Sequence, residues 1–161
     1  MVDQLIDILG REASLFESFL ELLEQQQRAL VDNNVERLNH VTEQQREMLS
    51  KSKLLHRERE AVIEDIKRHN VIDGDLTVTR LLEMVDQSQA DQLSQLRDAI
   101  LNVNDRILKT RNQNAILLNK SRDYIGRMMK MFSRIGDPSP VYNSGGDEQE
   151  AKHNLAVDRR A

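Results

Sequence analysis

Apolar residues recur at helical spacing along most of the chain, and no stretch alternates as a half-buried strand would. Leu5, Ile8, Leu9, Glu12, Leu15, Phe16, Phe19, Leu22, Leu23 and Leu30 keep close to one face and predict a first helix from about Val2 to about Val31. Asp32-Asn33-Asn34 breaks it. Asn33 followed by Glu36 reads as a capping box, an N-cap oxygen with a glutamate three residues on. So short a connection makes the next helix antiparallel to the first. That second helix is predicted from about Val35 to about His69. Its seam is Leu38, Val41, Gln45, Met48, Ser52, Leu55, Arg59, Val62 and Ile66, an unbroken 3,4 spacing that keeps one stripe facing a partner helix. Every seventh position from 45 to 59 is polar: Gln45, Ser52, Arg59. Such a seam either packs loosely or needs a partner that satisfies those groups.

Asn70–Leu76 read as a turn around Gly74, and Thr77 can cap a short helix through about Val85. After a modest break at Asp86-Gln87-Ser88, the last helix is predicted from about Ala90 to Ile135, roughly 70 Å at ~1.5 Å per residue. Its seam runs Leu93, Leu96, Ile100, Val103, Ile107, Thr110, Asn114, Leu117, Ser121, Tyr124, Met128, Met131, Ile135. A second stripe, Leu118, Ile125 and Phe132 with Met129 beside it, widens the apolar arc toward the C-terminus. Gly136 stands at the C′ position, and Pro138 follows as a stop. This helix exceeds its neighbours in length, so part of it is expected to project beyond them. From Asp137 the composition turns to Pro, Ser, Gly and charge, which predicts a flexible tail. The expected fold is all-α: an elongated antiparallel bundle of three long helices and one short one with coiled-coil-like packing, residues 1–136, followed by a tail, residues 137–161.

Composition narrows the function. Charged residues make up 31% of the 161 residues and aromatics 3%, so the core is built of aliphatic seams rather than deep pockets. Cysteine is absent, which excludes disulfides and thiolate metal sites. The formal net charge of −4 is a poor basis for sequence-independent nucleic-acid binding. The N-terminus carries acids where a signal peptide needs positive charge. The longest apolar run, Ala115–Leu118, falls far short of the ~20 residues that span a bilayer. A cytoplasmic protein without membrane insertion is expected.

Catalytic signatures are missing. There is no P-loop, GxGxxG, GxSxG or HExxH. A di-iron bundle needs a Glu-x-x-His from each of two helices. Only Glu150–His153 has that spacing, and it lies in the tail; His40, His56 and His69 lack ligand spacing. The charged stretch His56–Glu60 reads as a solvated face with i,i+4 pairs. Neither an enzyme nor a cofactor or metal is expected.

Two features point to binding. Met128, Met129, Met131, Phe132 and Ile135 cluster at the end of the last helix. Methionine suits surfaces that accept a partner. The cluster either closes the end of the bundle or forms an exposed stripe for a partner helix. Tyr142 is a lone aromatic in a polar tail, placed either as a docking element or tucked against the bundle.

The chain resembles the FlgN family of flagellar secretion chaperones. The resemblance rests on the first helix, Leu5–Leu30 (LIDILGREASLFESFLELLEQQQRAL), leading through VDNNVERL into the second. It rests also on the Asn-rich Asn112–Leu118 and on the Pro-containing exit to Tyr142-Asn143-Ser144-Gly145-Gly146. The resemblance implies a cytoplasmic chaperone for hook-associated proteins of the hook–filament junction, holding their C-terminal helical segments and delivering them to the flagellar type III export gate. It implies client binding on the last helix, at Met128, Met131, Phe132 and Ile135, and gate docking at Tyr142. The competing reading is a self-associating coiled-coil scaffold or adaptor. In it, Gln45, Ser52, Arg59, Thr110 and Asn114 set the register of a homodimer.

Overall fold

The computed structural model describes residues 1–136, with side chains through Arg134. Four helices follow in order: α1, Val2–Val31; α2, Val35–His69; α3, Val78–Met84; α4, Gln87–Gly136. The fold is an all-α helical bundle, as the spacing predicts. The chain divides into two compact units, Met1–Tyr124 and the residues from Ile125 on, and α4 contributes to both.

The α1–α2 turn differs from the predicted cap by one residue. Asn33 takes a left-handed backbone (φ 51), which asparagine tolerates better than most residues. Asn34, next to it, is extended, and its side chain accepts the Arg37 N–H at 2.9 Å. Asn34 is therefore the N-cap, because Asn33 ends α1: the Asn34 N–H returns to the Ala29 carbonyl at 2.9 Å. At the far end of α2, Val71 has φ 53, an outlier for a β-branched residue. The Ile72 N–H bonds the Lys67 carbonyl at 3.0 Å and the Ile72 side chain is buried. This is a Schellman ending, in which the residue after Val71 is buried while Val71 is held in a strained conformation. Thr77 caps α3 as expected. Asp86 accepts the Gln89 N–H at 2.9 Å, so α4 begins at Gln87, earlier than predicted.

In the first unit the three long helices run up, down and up. Arg11 pairs with Glu58, Arg59 with Glu12 and Gln26 with Gln45, which sets α1 and α2 antiparallel. Asp3–Gln89, Glu17–Arg106, Leu23–Asn114 and Gln27–Gln113 set α1 and α4 parallel, at separations of 86 to 91 residues. At that offset α1 ends opposite about residue 119. One end of the bundle is closed by α3: Leu81 joins Leu5, Ile8, Val62, Ile66 and Leu93 in a single buried cluster.

The polar seam positions of α2 have three different fates. Arg59 reaches across to Glu12, which is 3% exposed, at 2.7 Å. Gln45 enters an amide layer: it accepts from Gln26 Nε2 at 3.3 Å, while Asn114 Nδ2 donates to Gln26 Oε1 at 2.9 Å and to the Leu23 carbonyl at 2.8 Å. Gln45 Nε2 and Asn114 Oδ1 are buried without a partner among the described residues. Ser52 makes neither kind of contact; it lines a crevice of about 140 Å³ between α2 and α4. Gln45, Arg59 and Asn114, which the competing reading assigns to register between two copies, make these contacts within one chain. On the surface, Lys51 hydrogen-bonds Glu47 and attracts its charge, holding that carboxyl below its ordinary value. That contribution is present above the usual carboxylate range and fades as pH falls through the lowered value.

Two stability outcomes follow. Val71→Gly should raise stability by about 0.5–1 kcal/mol in urea unfolding, because relief of left-handed strain exceeds the added chain entropy of glycine. Asn114→Ala should lower it by about 1–3 kcal/mol, since Gln26 Oε1 and the Leu23 carbonyl lose the donor that Asn114 gives them in the interior.

Candidate functional site

The segment Ile125–Arg134 belongs to the second unit and reads IGRMMKMFSR. It continues α4 without a break, and Arg134 in the last turn complements the helix dipole. Its large apolar side chains face solvent. Ile125 is 60% exposed, Met129 67%, Met131 52% and Phe132 58%. Met128 is half-buried. At ~100° per residue, Ile125, Met128, Met129 and Phe132 share one face, with Met131 at its edge. The charged residues, Arg127, Lys130 and Arg134, are all basic and fall on the opposite side. The segment thus presents an exposed apolar stripe backed by cations.

Of the residues singled out from the sequence, Met131 and Phe132 are exposed rather than closing a core. Met128 lies between these states. Ile135 stands in the last turn of α4, but its side chain is outside the described ones, and Tyr142 lies outside the described residues altogether. Ile125 and Met129 are exposed to the same degree as Met131 and Phe132, and the second stripe at 118, 125 and 132, with Met129 beside it, was the signal for them.

The model of the FlgN protein family matches residues 1–150. The chain belongs to the FlgN family. Searches of curated proteins and of solved structures gave no match. FlgN proteins are flagellar export chaperones, and this family membership gives the chain that general role. The family is not known as an enzymatic one. Among the described residues no cluster of three His, Asp or Glu is placed to hold a metal ion, and no helix is long and apolar enough to cross a membrane. The stripe on α4 is thus the exposed apolar segment of a FlgN chain, and its exposure sets what a substitution there should do. Met131→Asp and Phe132→Asp should leave helicity by circular dichroism unchanged and stability within about 0.5 kcal/mol of the parent, as exposed positions do.

Proposed function

We propose that this chain is a cytoplasmic chaperone for hook-associated proteins, that it holds their C-terminal helical segments along the end of α4, and that it hands them to the flagellar type III export gate. The exposure of Met131 and Phe132, at 52% and 58%, carries this reading. Client helices that pair only after export have unpaired apolar seams in the cytosol. A complementary stripe with anchors at helical spacing covers such a seam without ATP or covalent chemistry. Burying a Met or Phe side chain contributes about 1.5–3 kcal/mol before the losses of association. Four anchors, Met128, Met131, Phe132 and Ile135, are therefore enough for reversible binding. Methionine's flexibility lets one stripe accept more than one client. In this reading Tyr142 docks the loaded chaperone on the gate.

Calorimetric titration with the C-terminal helical segment of a hook-associated protein from the same organism tests the reading. A saturable 1:1 isotherm with negative heat-capacity change is expected, the mark of apolar burial. Phe132→Asp should weaken it at least tenfold. An intact client segment that gives no heat at any temperature would contradict the assignment. Tyr142→Ala should leave client affinity unchanged and lower affinity for the cytoplasmic domain of the gate; loss of client binding in that variant would refute the division of roles.

A further inference from the structure

A second apolar stripe lies within the first unit. Leu101 and Leu108 are seven residues apart, Ala115 is seven further on, and Leu118 follows. Leu101 is 62% exposed, Leu108 50% and Leu118 45%. Each stands one position after a member of the core seam: Ile100, Ile107, Asn114, Leu117. The stripe therefore lies about 100° around α4 from the buried face. The other flank of α4 is the one that meets α1, through Arg106 to Glu17 and Gln113 to Gln27. The stripe is consequently turned toward α2.

The crevice behind Ser52 confirms that placement. Phe16 and Phe19 of α1 form its floor, and Ile107 stands on its wall beside Ser52. Its lips are Leu49 of α2, 52% exposed, and Asn104, the stripe position between Leu101 and Leu108. At about 140 Å³ it has room for one large side chain. It exists because the seam position that would fill it carries serine. An apolar groove with a hole at its centre is the receiving half of knobs-into-holes packing.

Charge selects the occupant. The charged stripe positions after Leu101 are Arg111 and Arg122, and Lys53 follows Leu49 on the same side of α2. None of these three forms an ion pair among the described residues. The acids on that side of α2, Glu60 and Glu64, already contact His56 and Lys67. Between Leu101 and Leu118, α4 carries one acid, Asp105, against Lys109 and Arg111, while Arg106 is engaged by Glu17 on the other flank. These cations stand out in a chain whose net charge is −4.

We propose that the α2–α4 groove of the first unit docks an acidic amphipathic helix of a partner protein, which sets one large apolar side chain into the crevice behind Ser52. The helix completes a four-helix arrangement, with its acids beside Lys53, Arg111 and Arg122. Complementary charge sets the orientation and the rate of encounter. The site is distinct in sequence from the Met128–Ile135 stripe and does not depend on the client assignment.

Two synthetic helices with the same Leu and Phe positions, one rimmed with Glu and one with Lys, test this by fluorescence anisotropy against the full chain. The Glu-rimmed helix should bind saturably and the Lys-rimmed helix at least tenfold more weakly. Ser52→Met, which fills the crevice, should keep or raise the melting temperature and reduce affinity for the Glu-rimmed helix at least tenfold. Leu108→Glu, at an exposed position, should weaken it equally with the fold intact, and Phe132→Asp should not alter it. Equal binding of the two helices, or unchanged binding in both groove variants, overturns the proposal. So does a groove-dependent doubling of mass, which would assign the face to a second copy. Groove-dependent binding to phosphatidylglycerol vesicles would assign it to a membrane and overturn it too.

Discussion

Inside the bundle the side-chain amide of Asn114 donates to Gln26 Oε1 and to the main-chain carbonyl of Leu23, and the two bonds together decide where α4 lies on the α1–α2 hairpin. A shift of one helical turn along α1 would bring another main-chain carbonyl within reach but would take Asn114 from Gln26 Oε1 and leave buried amide groups unpaired, at a penalty of about 1–3 kcal/mol. Apolar seams alone tolerate such slips, since one leucine replaces another. The amide layer of Gln26, Gln45 and Asn114 does not, and the Glu12–Arg59 pair repeats the constraint between α1 and α2. Much else follows from this register. Ser52 comes to lie at the same crevice as Ile107, where the side chain is too small to fill the space. Leu101 and Leu108 remain exposed beside α2 instead of entering the core.

A binding protein of this kind must stay folded while presenting apolar surface. Here the two demands fall on different residues. Stability rests on aliphatic side chains such as Leu20, Val41, Ile66 and Val103, each at most 2% exposed, and on the cluster that α3 closes. In the proposed reading, binding capacity rests on exposed side chains such as Met131 and Phe132 that contribute little to the fold. Basic residues accompany the exposed segment, and their repulsion between copies opposes indiscriminate association of those surfaces.

Helix identity and order were legible because 3,4 spacing and capping residues report on local structure. Val2–Val31 and Val35–His69 match the predicted spans, and Thr77 caps α3 as read. The turn was harder. In Asn33-Asn34 either residue can cap, and only the left-handed backbone of Asn33 decides between them. Val71 gave no signal at all, because a β-branched residue is an outlier in the left-handed conformation it takes. The polar seam was visible as an anomaly at Gln45, Ser52 and Arg59. Its partners were not, since Glu12, Gln26 and Leu23 are brought opposite by the tertiary register. For the candidate site, spacing identified the Met-rich face, but exposure depends on whether any helix covers it, and a periodic pattern reads the same either way. The crevice at Ser52 was beyond sequence reasoning for the same reason.

Hydrogen–deuterium exchange of the full chain, alone and saturated with the C-terminal helical segment of a hook-associated protein, tests the central claim most directly. The account predicts slowed exchange along Ile125–Arg134, reduced in the Phe132→Asp variant at equal client concentration. Client binding with no protection in that segment would contradict it and move the client site elsewhere on the chain.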